Sequence, residues 1–218
     1  RVLAHLSQDA GILEAFASHH DFHAAIASKV YGVGVADVNP QMRSYAKQFS
    51  YGIAYGMSSY GVSQRLSVDL EEARAFVDAY YAQFPKVRDF LDAQVGRAKV
   101  DGFTTTMLGR RRYLPELQSR NPRVRAMGER MALNAPIQGS AADIIKRAMI
   151  DVDLALEDRT HVATMLLSVH DELVFEVPAG AEAEADALVR THMEAAADLI
   201  CGLEVDVHFG RNWSEAHA

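Results

Sequence analysis

The chain has 218 residues, of which 49% are hydrophobic and 23% are charged. This length suffices for one large domain or two modest ones, and the apolar content excludes a chain that is disordered by default. The sequence shows no apolar run long enough to cross a bilayer and no signal peptide, and its single cysteine excludes an internal disulfide. We expect a folded protein of a reducing compartment with no membrane partner.

The net charge of −7 argues at first against nucleic acid, but the charge is unevenly distributed. Residues 176–218 hold nine acids and two bases, so residues 1–175 are neutral in sum. Within those, residues 110–130 hold seven arginines and two glutamates. Such a basic segment either follows a phosphate backbone or forms a solvated charged surface, and charge alone favours the solvated surface.

Helical signals dominate the first part of the chain. Apolar residues recur with helical spacing within residues 2–16, and this abrupt opening suggests a segment cut from something longer. Asn39 followed by Pro40 predicts a helix start, and that helix should fail within residues 56–61.

Two further helices are expected in the next forty residues. Asp69 with Glu72 resembles a capping box that opens a helix, and Pro85 should end it. Another helix is expected from about residue 86 to the Asp101-Gly102 pair. Residues 103–114 then predict a short hairpin.

The remaining elements complete the expected architecture. Asn121-Pro122 predicts a helix that should kink or break at Pro136 before a helix through Ile144 and Met149. Strands are expected within residues 165–177, a helix over 181–200, and a half-buried strand where apolar and polar residues alternate over 203–209. We therefore expect an α+β fold in which a mainly helical subdomain is inserted into a sheet domain.

Two adjacent acids, Asp171 and Glu172, lie between apolar, β-rich segments. Because ionised acids are costly to bury, this placement suggests a hairpin tip that presents carboxylate oxygens to a hard cation. Mg²⁺ takes one or two protein carboxylates and leaves its other positions to water and phosphate. An ordinary exposed turn is the alternative, and it is the favoured one for the pair taken alone.

A basic and aromatic row runs along the helix that begins at Pro40. Arg43, Lys47, Tyr51 and Tyr55 recur every four residues, so they share one slowly winding face about 18 Å long. The two cations suit a phosphate tail and the two aromatics suit a sugar and base, which is the polarity of a nucleoside triphosphate. A solvated basic end with core aromatics is an equally good interpretation of the spacing.

A polar row of Arg130, Asn134 and Gln138 also steps by four residues, around Pro136. These side chains could donate to acceptors along a minor groove, where every base pair presents similar acceptors. Helix capping around the proline is the simpler interpretation of these three residues alone.

Four segments of the sequence resemble motifs of a single protein family. Residues 40–61, PQMRSYAKQFSYGIAYGMSSYG, resemble the fingers motif of family A DNA polymerases, the bacterial DNA polymerase I type. Residues 130–143, RMALNAPIQGSAAD, resemble its palm segment, and residues 169–172, VHDE, its metal-binding motif. The opening RVLAHLSQD resembles the end of its other carboxylate motif. The resemblance extends from Arg1 to about Trp213.

The resemblance implies an antiparallel palm sheet with covering helices and an inserted fingers subdomain. The implied division is palm over residues 1–22, fingers over 23–122 and palm again over 123–218. The implied reaction is attack of a primer 3′-hydroxyl on a dNTP, with two Mg²⁺ ions, or Mn²⁺ in their place. Primer-template DNA and dNTP are the implied partners of a monomeric parent enzyme in the bacterial cytosol, associated with the nucleoid.

The resemblance also implies roles for single residues. Asp171 would be a metal ligand with Glu172 close by, and His170 would lie near the primer end. Lys47 would hold the triphosphate and act as general acid to pyrophosphate. Arg43 and His23 would contact phosphates, and Tyr51 would pack against the incoming sugar. Tyr55 would stack at the templating position. The residues that would follow the primer-template are Arg130, Asn134 and Gln138.

Some parts of the family pattern are missing or different. Its second essential aspartate and a ribose-screening glutamate would precede Arg1, so we expect residues 1–218 to be inactive alone. Tyr51 replaces a frequent Phe, which implies weaker discrimination against dideoxynucleotides. The sequence leaves two alternatives open, a fragment of a single-subunit RNA polymerase and a non-catalytic nucleic-acid-binding fragment.

Overall fold

The computed structural model describes residues 1–17, 21–54 and 56–216. Helices predominate beside small antiparallel sheets, which confirms the α+β class. The chain divides into two compact units, Arg1–Ser140 and Ala141–Ala218. The division into palm and fingers segments stays a prediction. Among the helices of the described residues, none combines the length and apolar character needed to cross a bilayer.

Local sequence signals set the helix starts of the first unit. The helices in chain order are α1 (Val2–Ser7), α2 (Ala10–Ala17), α3 (Phe22–Tyr31), α4 (Pro40–Ala54), α5 (Ser59–Leu66), α6 (Leu70–Gln83) and α7 (Pro85–Asp101). Asn39 Oδ1 accepts from the Met42 N–H at 2.9 Å, and Asp69 Oδ1 accepts from the Glu72 N–H at 2.7 Å. Each carboxylate or amide oxygen satisfies a backbone donor that the first helical turn leaves unpaired, so the predicted caps are confirmed.

Aromatic side chains fill the core beneath α4. Phe49, Tyr80 and Phe84 are each at most 2% exposed, and the Tyr80 ring centroid lies 4.9 Å from that of Phe49 and 4.8 Å from that of Phe84. Burial raises the pKa of the Tyr80 hydroxyl. Ala46 on the same face of α4 is fully buried. The packing fixes which face of α4 points to solvent.

The predicted hairpin is confirmed as strands β1 (Phe103–Thr105) and β2 (Arg111–Tyr113), which pair antiparallel. A short 3₁₀ turn, Pro115–Gln118, follows it. The Ser140 hydroxyl oxygen accepts from the Met107 N–H at 2.9 Å and therefore ties the hairpin loop to the next helix.

The prediction that the helix breaks at Pro136 is wrong, because helix α8 runs without interruption over Pro122–Leu156. Proline removes one helical hydrogen bond and crowds the carbonyl four residues earlier. Here Ala132, Ala135 and Pro136 are all buried, and the Ser140 hydroxyl donates to the Pro136 carbonyl oxygen. We attribute the continuous helix to tertiary packing that outweighs the local penalty.

Among the described residues, the second unit contains a second hairpin and two further helices. Strands β3 (Thr164–Val169) and β4 (Glu172–Glu176) pair antiparallel, which confirms the strands expected on either side of residues 170–172. Helix α9 covers Glu182–Glu194, and a short α10 covers Trp213–Ala216. The apolar core holds Val152, Leu156, Val162, Ala163, Ala185, Leu188 and Val189.

The helix expected over residues 181–200 is too long. The helix ends at Glu194. Beyond it the backbone hydrogen bonds join residues three apart instead of four: the Ala196 N–H donates to the Met193 carbonyl at 3.2 Å. Such tightening is common at the last turn of a helix. Leu199 is nevertheless only 4% exposed, so the apolar pattern reported burial rather than helix length.

The strand expected over residues 203–209 is absent from the sheets of the described residues. Leu203, Val205 and Val207 are half-buried and the residues between them are exposed, so the alternation indicated the burial of these three, whereas Phe209 is 47% exposed. The Val205 N–H donates to Glu194 Oε1 at 3.2 Å, and Arg190 donates to the Val205 carbonyl. Side chains of α9 therefore occupy backbone groups that a neighbouring strand would need.

Candidate active site

The exposed face of α4 carries three of the four residues in the predicted row. Arg43, Lys47 and Tyr51 are exposed, and the Tyr51 side chain is 53% exposed. Because Ala46 and Phe49 anchor the opposite face, the row is held outward by the core. Tyr55 lies outside the described residues.

Arg43 is paired with a carboxylate that the sequence had not singled out. Its Nε lies 3.0 Å from Asp21 Oδ1, and its Nη2 lies 2.7 Å from Asp21 Oδ2. Asp21 also caps α3, because its Oδ1 accepts from the Ala24 N–H at 2.8 Å. The Arg43 hydrogen bonds, with the Ala24 bond assisting, hold the pKa of the Asp21 carboxyl below its usual value.

His23 lies on α3 beside Tyr51 of α4, with ring centroids 5.8 Å apart and planes tilted by 49°. Burial lowers the pKa of the His23 imidazole, and the nearby charges of Lys47 and Arg43 lower it further against the opposing effect of Asp21. The ring is therefore biased toward its neutral form, in which one nitrogen donates and the other accepts. Its Nδ1 is buried and finds no hydrogen-bond partner among the described residues.

The polar row of α8 lies on an uninterrupted helix, so its four-residue spacing does place its members along one face. Arg130 and Gln138 are exposed and Asn134 is half-buried. Gly56, which follows α4 with φ +65°, approaches this row closely. A Cβ at Gly56 would lie 2.9 Å from Leu133 Cδ1 and 3.3 Å from Arg130 Cγ, so Gly56 lies against α8.

The predicted hairpin tip is confirmed in the second unit. Val169 pairs with Glu172, which leaves His170 and Asp171 as a two-residue turn between β3 and β4. His170 has φ +56°, a conformation in which histidine is several-fold enriched among non-glycine residues. His170, Asp171 and Glu172 are all exposed. The hairpin therefore presents two neighbouring carboxylates to solvent.

Each unit thus assembles its own set of candidate residues. In the first unit His23, Arg43, Lys47 and Tyr51 lie on the paired helices α3 and α4, and Arg130 lies beside Gly56. The carboxylates of the second unit are hard oxygen donors of the kind Mg²⁺ prefers. Among the described residues no three His, Cys, Asp or Glu side chains cluster to hold a metal by themselves.

Asp21 is the residue that the sequence analysis missed. Its position before the helix that begins at Phe22 is a recognisable N-cap signal. The partner Arg43 is 22 residues away, and no local pattern identifies such a pair.

The profile of DNA polymerase family A matches residues 1–215. DNA polymerase I of Mycobacterium bovis is 53% identical over 216 residues, which are 99% of this chain and 24% of that protein. DNA polymerase I of Bacillus caldotenax is 45% identical over 216 residues, covering 99% of this chain and 25% of that protein. The chain therefore spans about a quarter of the length of these curated relatives.

A solved structure is also closely similar to the chain. It is the POL domain of Pol1 from M. smegmatis in complex with DNA primer-template and dNTP. The likeness has a TM-score of 0.95 and 51% sequence identity, and it covers 100% of this chain and 38% of that one. The profile, the relatives and this structure agree, and the chain belongs to DNA polymerase family A.

Proposed function

We propose that this chain takes part in template-directed DNA synthesis in replication and repair, by transfer of a nucleotidyl group from a dNTP to a primer 3′-hydroxyl. The observation that carries the proposal is the exposed row of Arg43, Lys47 and Tyr51, with His23 against Tyr51. The similar structure from M. smegmatis contains DNA primer-template and dNTP, which supports the same ligands here. The proposed DNA synthesis takes place in the bacterial cytosol, where the nucleoid supplies the template.

The row on α4 binds the incoming nucleotide in this proposal. Arg43 and Lys47 receive the phosphates at one end, and Tyr51 packs against the sugar at the other. His23 donates to a phosphate oxygen, since a largely neutral imidazole can donate without adding a full positive charge. Lys47 is the general acid for the leaving pyrophosphate. Tyr55 stacks at the templating position, a role that comes from the family resemblance.

Asp171 supplies a carboxylate ligand for Mg²⁺ at the hairpin tip, with Glu172 beside it. When bound, a pair of such ions would activate the attacking hydroxyl and stabilise the leaving oxygen. The contribution of this hairpin is position, because a two-residue turn between paired strands fixes where the carboxylate points. His170 precedes Asp171 in the turn and contacts the primer end.

Arg130, Asn134 and Gln138 follow the primer-template from one face of α8. Donors on a continuous helix suit acceptors that are similar at every base pair, so they hold DNA without reading its sequence. In the family the second metal-binding aspartate precedes the segment RVLAHLSQD. We therefore propose that a polypeptide limited to residues 1–218 does not extend a primer by itself.

Primer extension by the full-length protein tests the proposal. We expect Mg²⁺-dependent extension with dNTPs and little with NTPs, and we expect Lys47→Ala to slow single-turnover incorporation at saturating dNTP. Lys29→Ala is the matched control, because Lys29 pairs with Glu14 and is not part of this row. Preferred incorporation of NTPs would favour an RNA polymerase. DNA binding without extension by the unaltered full-length protein would favour a non-catalytic role and contradict the proposal.

A further inference from the structure

The guanidinium of Arg43 is already occupied in this structure by a protein carboxylate. Its Nε and Nη2 donate to the two oxygens of Asp21 at 3.0 and 2.7 Å. Phosphate oxygens accept from the same fork of donors in the same two-point manner. One edge of a guanidinium cannot serve both anions at full strength, so a phosphate that binds Arg43 through this edge must displace Asp21.

Asp21 can lose Arg43 and still keep its structural task. Its Oδ1 accepts from the Ala24 N–H at 2.8 Å, which caps α3 independently of the ion pair. Both side chains of the pair are about half exposed, at 45% for Arg43 and 44% for Asp21. An exposed pair is weak enough to be exchanged, since such pairs usually contribute little.

We propose that Asp21 competes with the incoming nucleoside triphosphate for the guanidinium of Arg43. The inference rests on the proposed function, because it takes the dNTP as the ligand of Arg43. Arg43 lies one helical turn, about 6 Å, beyond Lys47 on the side away from Tyr51. It therefore meets the end of the phosphate tail, so only a ligand that carries the full triphosphate has to displace Asp21.

Removing the charge of Asp21 while keeping its cap separates these two tasks. Asparagine and serine are both good N-cap residues, so Asp21→Asn and Asp21→Ser retain an acceptor for Ala24. Either variant should bind dNTP about two- to five-fold more tightly, which is the range expected from releasing an exposed ion pair. Binding of the corresponding deoxynucleoside monophosphate should not change, because that ligand does not reach Arg43.

The experiment measures dNTP and dNMP dissociation constants of the full-length protein on a primer that ends in a dideoxynucleotide. The proteins compared are the unaltered form, Asp21→Asn, Asp21→Ser, Arg43→Ala and the double variant Asp21→Asn with Arg43→Ala. In the Arg43→Ala background the Asp21 change should have no effect on dNTP binding, because the guanidinium for which Asp21 and the triphosphate compete is absent. Glu14→Gln is the matched control, since it removes the acid of a different ion pair, the one with Lys29 at 2.6 Å; its dNTP affinity should equal that of the unaltered protein.

Equal or weaker dNTP binding by both Asp21 variants would overturn the inference while leaving the proposed function intact. An equal gain for dNMP, or a gain that persists in Arg43→Ala, would overturn it as well, because the effect would then be general electrostatics. If the unaltered protein neither binds dNTP nor extends a primer, the proposed function fails and this inference fails with it.

Discussion

The backbone N–H of Lys86 donates to the carboxylate of Asp9, 77 residues earlier in the chain, over 3.0 Å. The other carboxylate oxygen accepts from the N–H groups of Gly11 at 3.0 Å and Ile12 at 3.4 Å. Asp9 is only 2% exposed. A single buried acid therefore satisfies donors at the starts of both α2 and α7, which links the beginning of the chain to the helical core beneath α4.

Replacing Asp9 by alanine should lower the free energy of unfolding by about 3 kcal/mol, because three backbone donors lose a charged acceptor in a buried place. Thermal or denaturant unfolding of the purified protein measures the change. Asp9→Asn should cost less, since its amide oxygen can still cap α2. Asp89→Ala removes an exposed aspartate of α7 and serves as the control. Equal stability of Asp9→Ala and Asp89→Ala would contradict the assignment.

His23 should make stability depend on pH. Its pKa in the folded protein lies below the unfolded value of about 6.5, chiefly because the ring is buried. Above that value the imidazole is neutral in both states. As the pH falls below it, the unfolded chain takes up a proton that the folded state resists, so stability decreases.

Unfolding measured at pH 7.5 and at pH 5.5 checks this effect. The unaltered protein should lose more stability across this interval than His23→Gln, which cannot titrate at this position. Titration of the His23 ring by nuclear magnetic resonance should give a pKa below that of the denatured protein. A raised pKa, or identical pH dependence in the variant, would show that burial does not govern this ring.

Tyr51→Phe should raise discrimination against dideoxynucleotides in the full-length protein. The tyrosine ring lies exposed on α4, where the proposal places the incoming sugar, so removal of its hydroxyl alters contacts at the 3′ position. The ratio of dideoxynucleotide to deoxynucleotide incorporation measures the change. Tyr60→Phe, at a tyrosine of α5 that is 65% exposed, should leave the ratio as it is. An unchanged ratio in Tyr51→Phe would disprove a sugar contact by the hydroxyl.

Elements with local causes were predictable from the sequence. Asn39 and Asp69 accept from donors three residues ahead, so the signal and its consequence lie within one helical turn. The turn at His170 and Asp171 was predictable for a similar reason, because apolar strand residues flank a short polar interruption. Motifs as long as residues 40–61 also identified the family without any structure.

Features that depend on distant partners were not predictable. Pro136 stays within a helix because of what surrounds it, and Val205 forms no strand because α9 side chains take its backbone groups. The pairing of Asp21 with Arg43 joins two helices through a fold that neither residue encodes locally. In each case the sequence reported chemical type and burial, whereas the partner depended on tertiary structure.

Asp171 provides the most direct test of the proposed function. Single-turnover incorporation of a matched dNTP should be measured for Asp171→Asn in the full-length protein, with Asp158→Asn as an exposed acid of the same unit that lies outside the hairpin tip. Loss of a metal ligand is expected to remove several kcal/mol of transition-state stabilisation, so the rate should fall by about a thousandfold or more while DNA still binds. The Asp158→Asn rate should match the unaltered protein. An Asp171→Asn protein that incorporates dNTP at the unaltered rate would contradict the account.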